Sequence, residues 1–239
     1  MTAVQDPALE LRDVHAGYGR IEVLHGVNLS LQSGTVCALL GPNGAGKSTA
    51  LQVASGDIRP TAGCVHVGGV HVNGTPPEKL VRAGVCLIPE GRGIFANLTV
   101  AENLRMTTFA GDLSPAQTEE KAFGRFPALA GRRDQLAGTL SGGEQQMLAM
   151  SRALATDPDV LLLDEISMGL APRIVMGLYE VVAQLAAEGI SIVLVEQFAR
   201  TALRVADYAA VMTQGRIAAA GKPSEVTELI SEAYLGGAA

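Results

Sequence analysis

Apolar and polar residues alternate along residues 9–14 and again along 24–31, the period of strands with one buried face. A continuous apolar run at 36–40 predicts a strand buried on both faces, followed by a helix that ends near Gly56. Short apolar runs at 64–67 and 70–72, split by Gly68-Gly69, predict a hairpin-like edge. A short helix is expected over 76–83 and a buried strand over 85–88, ending at Pro89-Glu90-Gly91. From 99 to about 156 the two-residue period is gone. Thr99-Val100-Ala101-Glu102 has the form of a capping box, Ser114-Pro115 opens a second helix, and 142–155 forms a third. Strand patterning resumes at 160–163 and 190–195, around a helix over 172–188 that Gly189 closes. A short helix over 198–205, strands over 208–213 and 216–220, a helix over 223–230 and a frayed tail at 236–239 complete the expectation. Alternating strands and helices predict an α/β protein, with a helical block inserted at 96–156 into one core made of 1–95 and 157–239.

Bulk properties narrow the function classes. A chain of 239 residues is long enough for one large α/β domain with a substantial core. The formal charge of −6 argues against broad binding to phosphate backbones, leaving only a local basic groove open. Cys37, Cys64 and Cys86 lie in or beside apolar runs without CxxC spacing, the pattern of small buried hydrophobes in a reducing compartment. Residues 1–7 lack a secretory pattern, and no apolar run reaches the ~18 residues of a membrane span.

The apolar run at 36–40 leads into Gly41-Pro42-Asn43-Gly44-Ala45-Gly46-Lys47-Ser48-Thr49. This is the phosphate-loop spacing, in which glycines let successive N–H groups turn inward at a helix N-terminus and cradle an anion. Lys47 is placed for the β- and γ-phosphates, and the Ser48 hydroxyl is a natural Mg²⁺ ligand. A second anchor is Val160-Leu161-Leu162-Leu163-Asp164-Glu165. On a buried strand it puts Asp164 at the carboxyl edge, able to hold Mg²⁺ through water, with Glu165 beyond it to orient or deprotonate an attacking water. Read alone, the same pattern also marks an ordinary strand end. The third anchor is Leu140-Ser141-Gly142-Gly143-Glu144-Gln145, with Ser141 as N-cap of a helix whose bare-backbone tip forms a second anion site. Two antiparallel chains, each closing the other's nucleotide, have a use for such a site; a well-capped structural helix is the alternative. Gly17-Tyr18-Gly19 marks a turn whose aromatic either stacks on adenine or serves as a plain turn tyrosine.

Together these motifs resemble the nucleotide-binding subunits of ABC transporters, in the family's order and over nearly the whole of residues 1–239. The resemblance implies a P-loop NTPase (RecA-like) core with an antiparallel β subdomain and an inserted α-helical signature subdomain. Tyr18 then falls at the adenine-stacking position, 41–49 is the Walker A loop, 141–145 the signature and Asp164-Glu165 the end of Walker B. The cofactors implied are ATP and Mg²⁺. The partners implied are a second ABC ATPase, identical or LivG-like, two transmembrane permease subunits and, indirectly, a periplasmic solute-binding protein. The place implied is the cytoplasmic face of a bacterial inner membrane, without nucleic acid.

Several positions depart from the common pattern. Glu90 stands where many such subunits carry glutamine, Gln197 of Val195-Glu196-Gln197 where a switch histidine is usual, and Ile166 where proline is common. Glu90 and Gln197, with 167–172 and Ala233-Tyr234-Leu235-Gly236, resemble the LivF-type subunits of branched-chain amino acid importers. Glu90 is expected to reach Mg²⁺ or the permease. Gln197 can hydrogen-bond the γ-phosphate or the attacking water but carries no imidazolium charge, so turnover should depend little on pH near ~6.5. His15, His25, His66 and His71 are expected in strands or at the surface. A soluble ABC ATPase acting on nucleic acid or ribosomes, a urea or amide importer subunit, and a nucleotide-binding regulator without useful hydrolysis are the rival readings.

Overall fold

The computed structural model describes residues 6–107, 113–197 and 199–227. Strands β1 (Leu9–Tyr18), β2 (Ile21–Leu31), β4 (Ala62–Val67) and β5 (Val70–His71) form an antiparallel sheet in the order β2-β1-β4-β5. Strands β3 (Val36–Leu40), β6 (Val85–Ile88), β7 (Val160–Asp164), β8 (Ser191–Glu196), β9 (Tyr208–Thr213) and β10 (Arg216–Gly221) form the second sheet, ordered β10-β9-β3-β8-β7-β6. Its pairings are parallel except β9 with β10. Both faces of the central strands are covered, which is why β3, β7 and β8 are buried at every residue.

The two-residue period of these strands decides what each face receives. Val36, Ala38, Leu40, Leu161, Leu163, Ile192 and Leu194 join one hydrophobic cluster with α6 (Gly142–Leu154) and α7 (Pro172–Ala187). Cys37, Leu39, Leu162, Val193 and Val195 join the other, with α1 (Lys47–Ala54) and the antiparallel sheet. Continuing the alternation, Asp164 shares the α1 side with Leu162, and Glu196 shares the α7 side with Leu194.

Helix α2 (Pro77–Arg82) precedes β6, and between β6 and β7 lie α3 (Val100–Arg105), α4 (Pro115–Arg125), α5 (Pro127–Ala130), a 3-10 turn at Ala137–Thr139, and α6. Reciprocal capping boxes open α3, α4 and α6, at Thr99/Glu102, Ser114/Gln117 and Ser141/Glu144. Val100, Leu104, Phe126 and Leu129 from this helical block belong to the same cluster as Leu161 and Leu163, so hydrophobic packing runs unbroken from helices to sheet. Arg125 of α4 also meets Glu188, just past α7, at 2.6 Å.

Two expectations need correction. Gly17 and Tyr18 are the last residues of β1, paired to Glu22 and Ile21, and the turn is Gly19-Arg20. Gly19, at φ 61, takes the first position of this two-residue hairpin, where a positive φ matches the twist of the strands. The helix expected over 198–205 is the short α8 (Ala199–Ala202), and Phe198 lies outside the described residues. Residues 223–227 are helical; the expected continuation to 230, the motif at 233–236 and the tail lie outside the described residues. All four histidines are on strands of the antiparallel sheet. Cys37 is buried, which pushes its thiol up to about 12, and Cys64 and Cys86 are partly covered. No helix among the described residues is long and apolar enough to cross a membrane.

Candidate functional site

Strand β3 delivers the chain to a glycine loop because nothing larger fits where it ends. A Cβ on Gly41 would lie 2.2 Å from the Met212 carbonyl oxygen on β9, and Gly46, the N-cap of α1, has φ 104. The loop of residues 41–46 thereby turns tightly into α1, whose first residue is Lys47. The Lys47 ammonium is 4% exposed and donates to the carbonyl oxygens of Gly41 at 3.0 Å and Pro42 at 3.1 Å. It also lies 3.7 Å from Glu165 Oε1. Two carbonyls and one carboxylate hold this ammonium inside the loop, where dielectric screening is weak.

Pleat parity brings Asp164 from β7 to the same place. Burial pushes its carboxyl above the usual range, as do the neighbouring Glu165 and Glu90 charges, against the pull of the Ser48 hydroxyl and Lys47. Its Oδ1 is buried without a hydrogen-bond partner. An orphaned carboxylate oxygen beside a serine hydroxyl fits a divalent cation of the Mg²⁺ kind, which takes one or two protein oxygens and completes its shell from phosphate and water. No group of three or more His, Cys, Asp or Glu among the described residues is arranged to hold a metal by itself.

Glu165 has φ 47, an uncommon conformation for a residue with a side chain. Its N–H donates to Val195 O at 3.0 Å, anchoring it to β8. An open cleft of about 420 Å³ is lined by Tyr18, Asn43, Gly44, the first turn of α1, Glu90, Glu165 and Met168. Tyr18 is 52% exposed at the rim, and its hydroxyl is 2.6 Å from Gln52 Oε1 and 3.4 Å from Thr49 Oγ1. The structure thus gathers Tyr18, Gly44, Gly46, Lys47, Ser48, Thr49, Glu90 and Glu165 around one space.

Five of the proposed residues lie elsewhere. Ser141, Gly142, Gly143 and Glu144 open α6 and take no part in lining this cleft. The Ser141 N–H and hydroxyl both donate to Glu144 Oε2, at 2.9 and 2.7 Å, and Arg132 Nε lies 2.5 Å from Glu144 Oε1. Partial burial works to raise the Glu144 carboxyl, and the bonds from Ser141 and Arg132 outweigh it, leaving the group below the usual range. Gly143 has a packing reason to be glycine: a Cβ there would sit 2.7 Å from Ile174 Cγ2 on α7. Gln197 is exposed at the bend after β8 and is likewise absent from the cleft lining.

Sequence reading passed over Gln52, Arg132 and the cleft-lining role of Met168. Gln52 follows Thr49 by one helical turn, so it was within reach of spacing rules; Arg132 and Met168 depend on tertiary placement.

Residues 24–167 match the family model described as "ABC transporter". The chain is 42% identical to the high-affinity branched-chain amino acid transport ATP-binding protein BraG of Pseudomonas aeruginosa, over 96% of this chain and 100% of that one. It is 35% identical to the probable branched-chain amino acid transport ATP-binding protein LivF of Archaeoglobus fulgidus, over 90% and 92% of the two chains. Among solved structures, the ADP conformation of an ATP-binding cassette of an ABC transporter superposes with a TM-score of 0.83 at 28% identity, over 95% of each chain. On its motifs, its architecture and these likenesses, the chain belongs to the ABC transporter family, as an ATP-binding cassette.

Proposed function

We propose that this chain is the ATP-hydrolysing subunit of a bacterial importer for branched-chain or other hydrophobic amino acids. The likeness to BraG along that protein's full length supports the substrate class. The observation that carries the catalytic reading is the cleft that sets the Lys47 ammonium 3.7 Å from Glu165 Oε1 beside the buried Asp164. Residues 41–49 hold the triphosphate, with Lys47 on the β- and γ-phosphates and Tyr18 against the adenine. Ser48, Asp164 and Glu90 would hold Mg²⁺, which when bound neutralises phosphate charge. Glu165 accepts a proton from the attacking water as its oxygen bonds to the γ-phosphorus and the bond to the ADP oxygen breaks, giving ADP and phosphate. Gln197 offers a neutral amide to the same phosphate or water.

The signature residues Ser141, Gly142, Gly143 and Glu144 serve a partner's nucleotide in a head-to-tail dimer. Their position outside this chain's own cleft supports that division. A LivG-like partner is favoured over a second copy, because Pseudomonas aeruginosa has, beside BraG, a branched-chain amino acid transport ATP-binding protein BraF, to which this chain is 30% identical. In this reading residues 1–239 are one ABC ATPase domain, with 96–156 as the helical insert in a core of 1–95 and 157–239. It works on two permeases at the cytoplasmic face of the inner membrane, fed by a periplasmic binding protein. The test is Glu165→Gln in the reconstituted transporter. ATP binding should persist and a closed ATPase dimer should accumulate, while leucine uptake stops. Undiminished ATP turnover in that variant removes Glu165 as the base.

A further inference from the structure

Glu196 is a carboxylate that the preceding account leaves without a task. It ends β8, is 1% exposed, and faces α7 by the strand's alternation. Burying a carboxylate so fully costs several kcal/mol, on the order of what an ion retains after relaxation, unless its oxygens are satisfied. Both oxygens go to one residue. Glu196 Oε1 accepts from the Ser167 N–H at 3.2 Å, and Oε2 accepts from the Ser167 hydroxyl at 2.7 Å. Tyr179 of α7 lies beside it with its hydroxyl buried and without a well-formed hydrogen bond.

Ser167 is two residues beyond Glu165, whose backbone sits at φ 47. That conformation costs about 1 kcal/mol for a residue with a side chain and persists only where the surroundings impose it. Here β8 grips the turn at two successive points: Val195 O takes the Glu165 N–H at 3.0 Å, and the Glu196 carboxylate takes both Ser167 donors. The turn is then closed on itself by Met168 N donating to Glu165 O at 3.1 Å and Leu170 N to Ser167 O at 3.2 Å.

We propose that Glu196 is a positioning residue for hydrolysis: by clamping Ser167 to the end of β8 it holds the Glu165 backbone in its left-handed conformation and its carboxylate over the cleft. The inference rests on Glu165 acting as the base. It also assigns the end of β8 two consecutive jobs, Glu196 inward to the turn and Gln197 outward to the nucleotide. Burial raises the Glu196 carboxyl, countered chiefly by the two bonds from Ser167, so the clamp holds a carboxylate against its solvation preference.

The test compares Glu196→Gln, Ser167→Ala and the double variant in the full chain and its assembled transporter. Glutamine keeps the volume of glutamate but removes its charge, so the charge-assisted bonds from the Ser167 N–H and hydroxyl become weaker neutral ones. Turnover should fall about tenfold with ATP affinity, read by a fluorescent ATP analogue, within about twofold of the parent. The double variant should be no slower than the slower single, because both remove the same clamp. Backbone hydrogen exchange across 165–168 should quicken while β3 and β7 stay protected. Parental turnover, additive effects or unchanged exchange at 165–168 would overturn the proposal. If Glu196→Gln does not fold, the partly exposed Ser167→Ala must itself slow turnover about threefold without weakening ATP binding, or the clamp has no catalytic role. Glu165→Gln, assayed alongside, separates the two ideas: full turnover there removes the base, whereas normal exchange in Glu196→Gln removes the brace.

Discussion

Substituting Gly143 by alanine discriminates between two reasons for a glycine at the tip of α6. If only bare-backbone access to an anion matters, an alanine in the helix should stabilise the free chain, by up to ~1 kcal/mol from helix propensity. The structure says otherwise, because the new methyl would stand 2.7 Å from Ile174 Cγ2 and 3.5 Å from its Cγ1. Gly143 is buried, and Ile174 sits in the first turn of α7 against the core cluster, so neither helix is free to move aside. Forcing a methylene-sized group into packed space costs about 1–3 kcal/mol. Set against the propensity gain, Gly143→Ala alone should be destabilising by about 0–2 kcal/mol. The single value is therefore weak and the cycle is strong. Ile174→Ala removes the obstructing Cγ2 and, at this partly buried position, should cost about 1–2 kcal/mol by itself. In the double variant the clash is gone, so the pair should be more stable than the sum of singles by about 1–3 kcal/mol. Urea unfolding of the four proteins, followed by circular dichroism, measures this directly. Additivity within ~0.5 kcal/mol would refute the packing argument.

Two further outcomes follow from the buried charges. Lys47→Ala deletes the cation proposed to meet the phosphates and should weaken ATP binding by roughly 10–100-fold, the worth of one or two charge-assisted bonds, in a titration with a fluorescent ATP analogue. Asp164→Asn should abolish turnover yet stabilise the fold at pH 8. The Asp164 carboxyl is raised above its unfolded value, so ionising it penalises the native state as pH rises through the ordinary carboxylate range, and the penalty is complete above the folded value. The variant's melting temperature should exceed the parent's at pH 8, by about 2–4 °C for each ~1 kcal/mol relieved, and the gap should close near pH ~3.5, below the unfolded value.

What could be read from the sequence was what short-range chemistry decides. The capping boxes at Thr99, Ser114 and Ser141 involve residues three apart, and each one forms. The buried strands β3, β7 and β8 announced themselves as apolar runs because both faces are covered. The sequence also supplied the residues of the cleft, since a glycine loop and the end of an apolar strand are local patterns. Hidden were contacts that exist only once the sheet is ordered β3-β8-β7. Glu196 and Ser167 are 29 positions apart, and nothing in either segment advertises the other. The pairing of Tyr18 with Ile21 was missed for a different reason: three residues of turn composition masked a strand that continues through two of them.

The unbroken hydrophobic cluster shared by the helical block and the parallel sheet has a practical corollary. Among the described residues of 96–156 there is no seam along which the helical block could be cut out or exchanged as a cartridge. Excision would strip the cover from Leu161 and Leu163, immediately before Asp164 and Glu165, and a graft from a distant cousin would have to match shape on the sheet side as well as at its own surface. A pull applied to those helices by a neighbouring subunit would be felt in β7 without any dedicated lever.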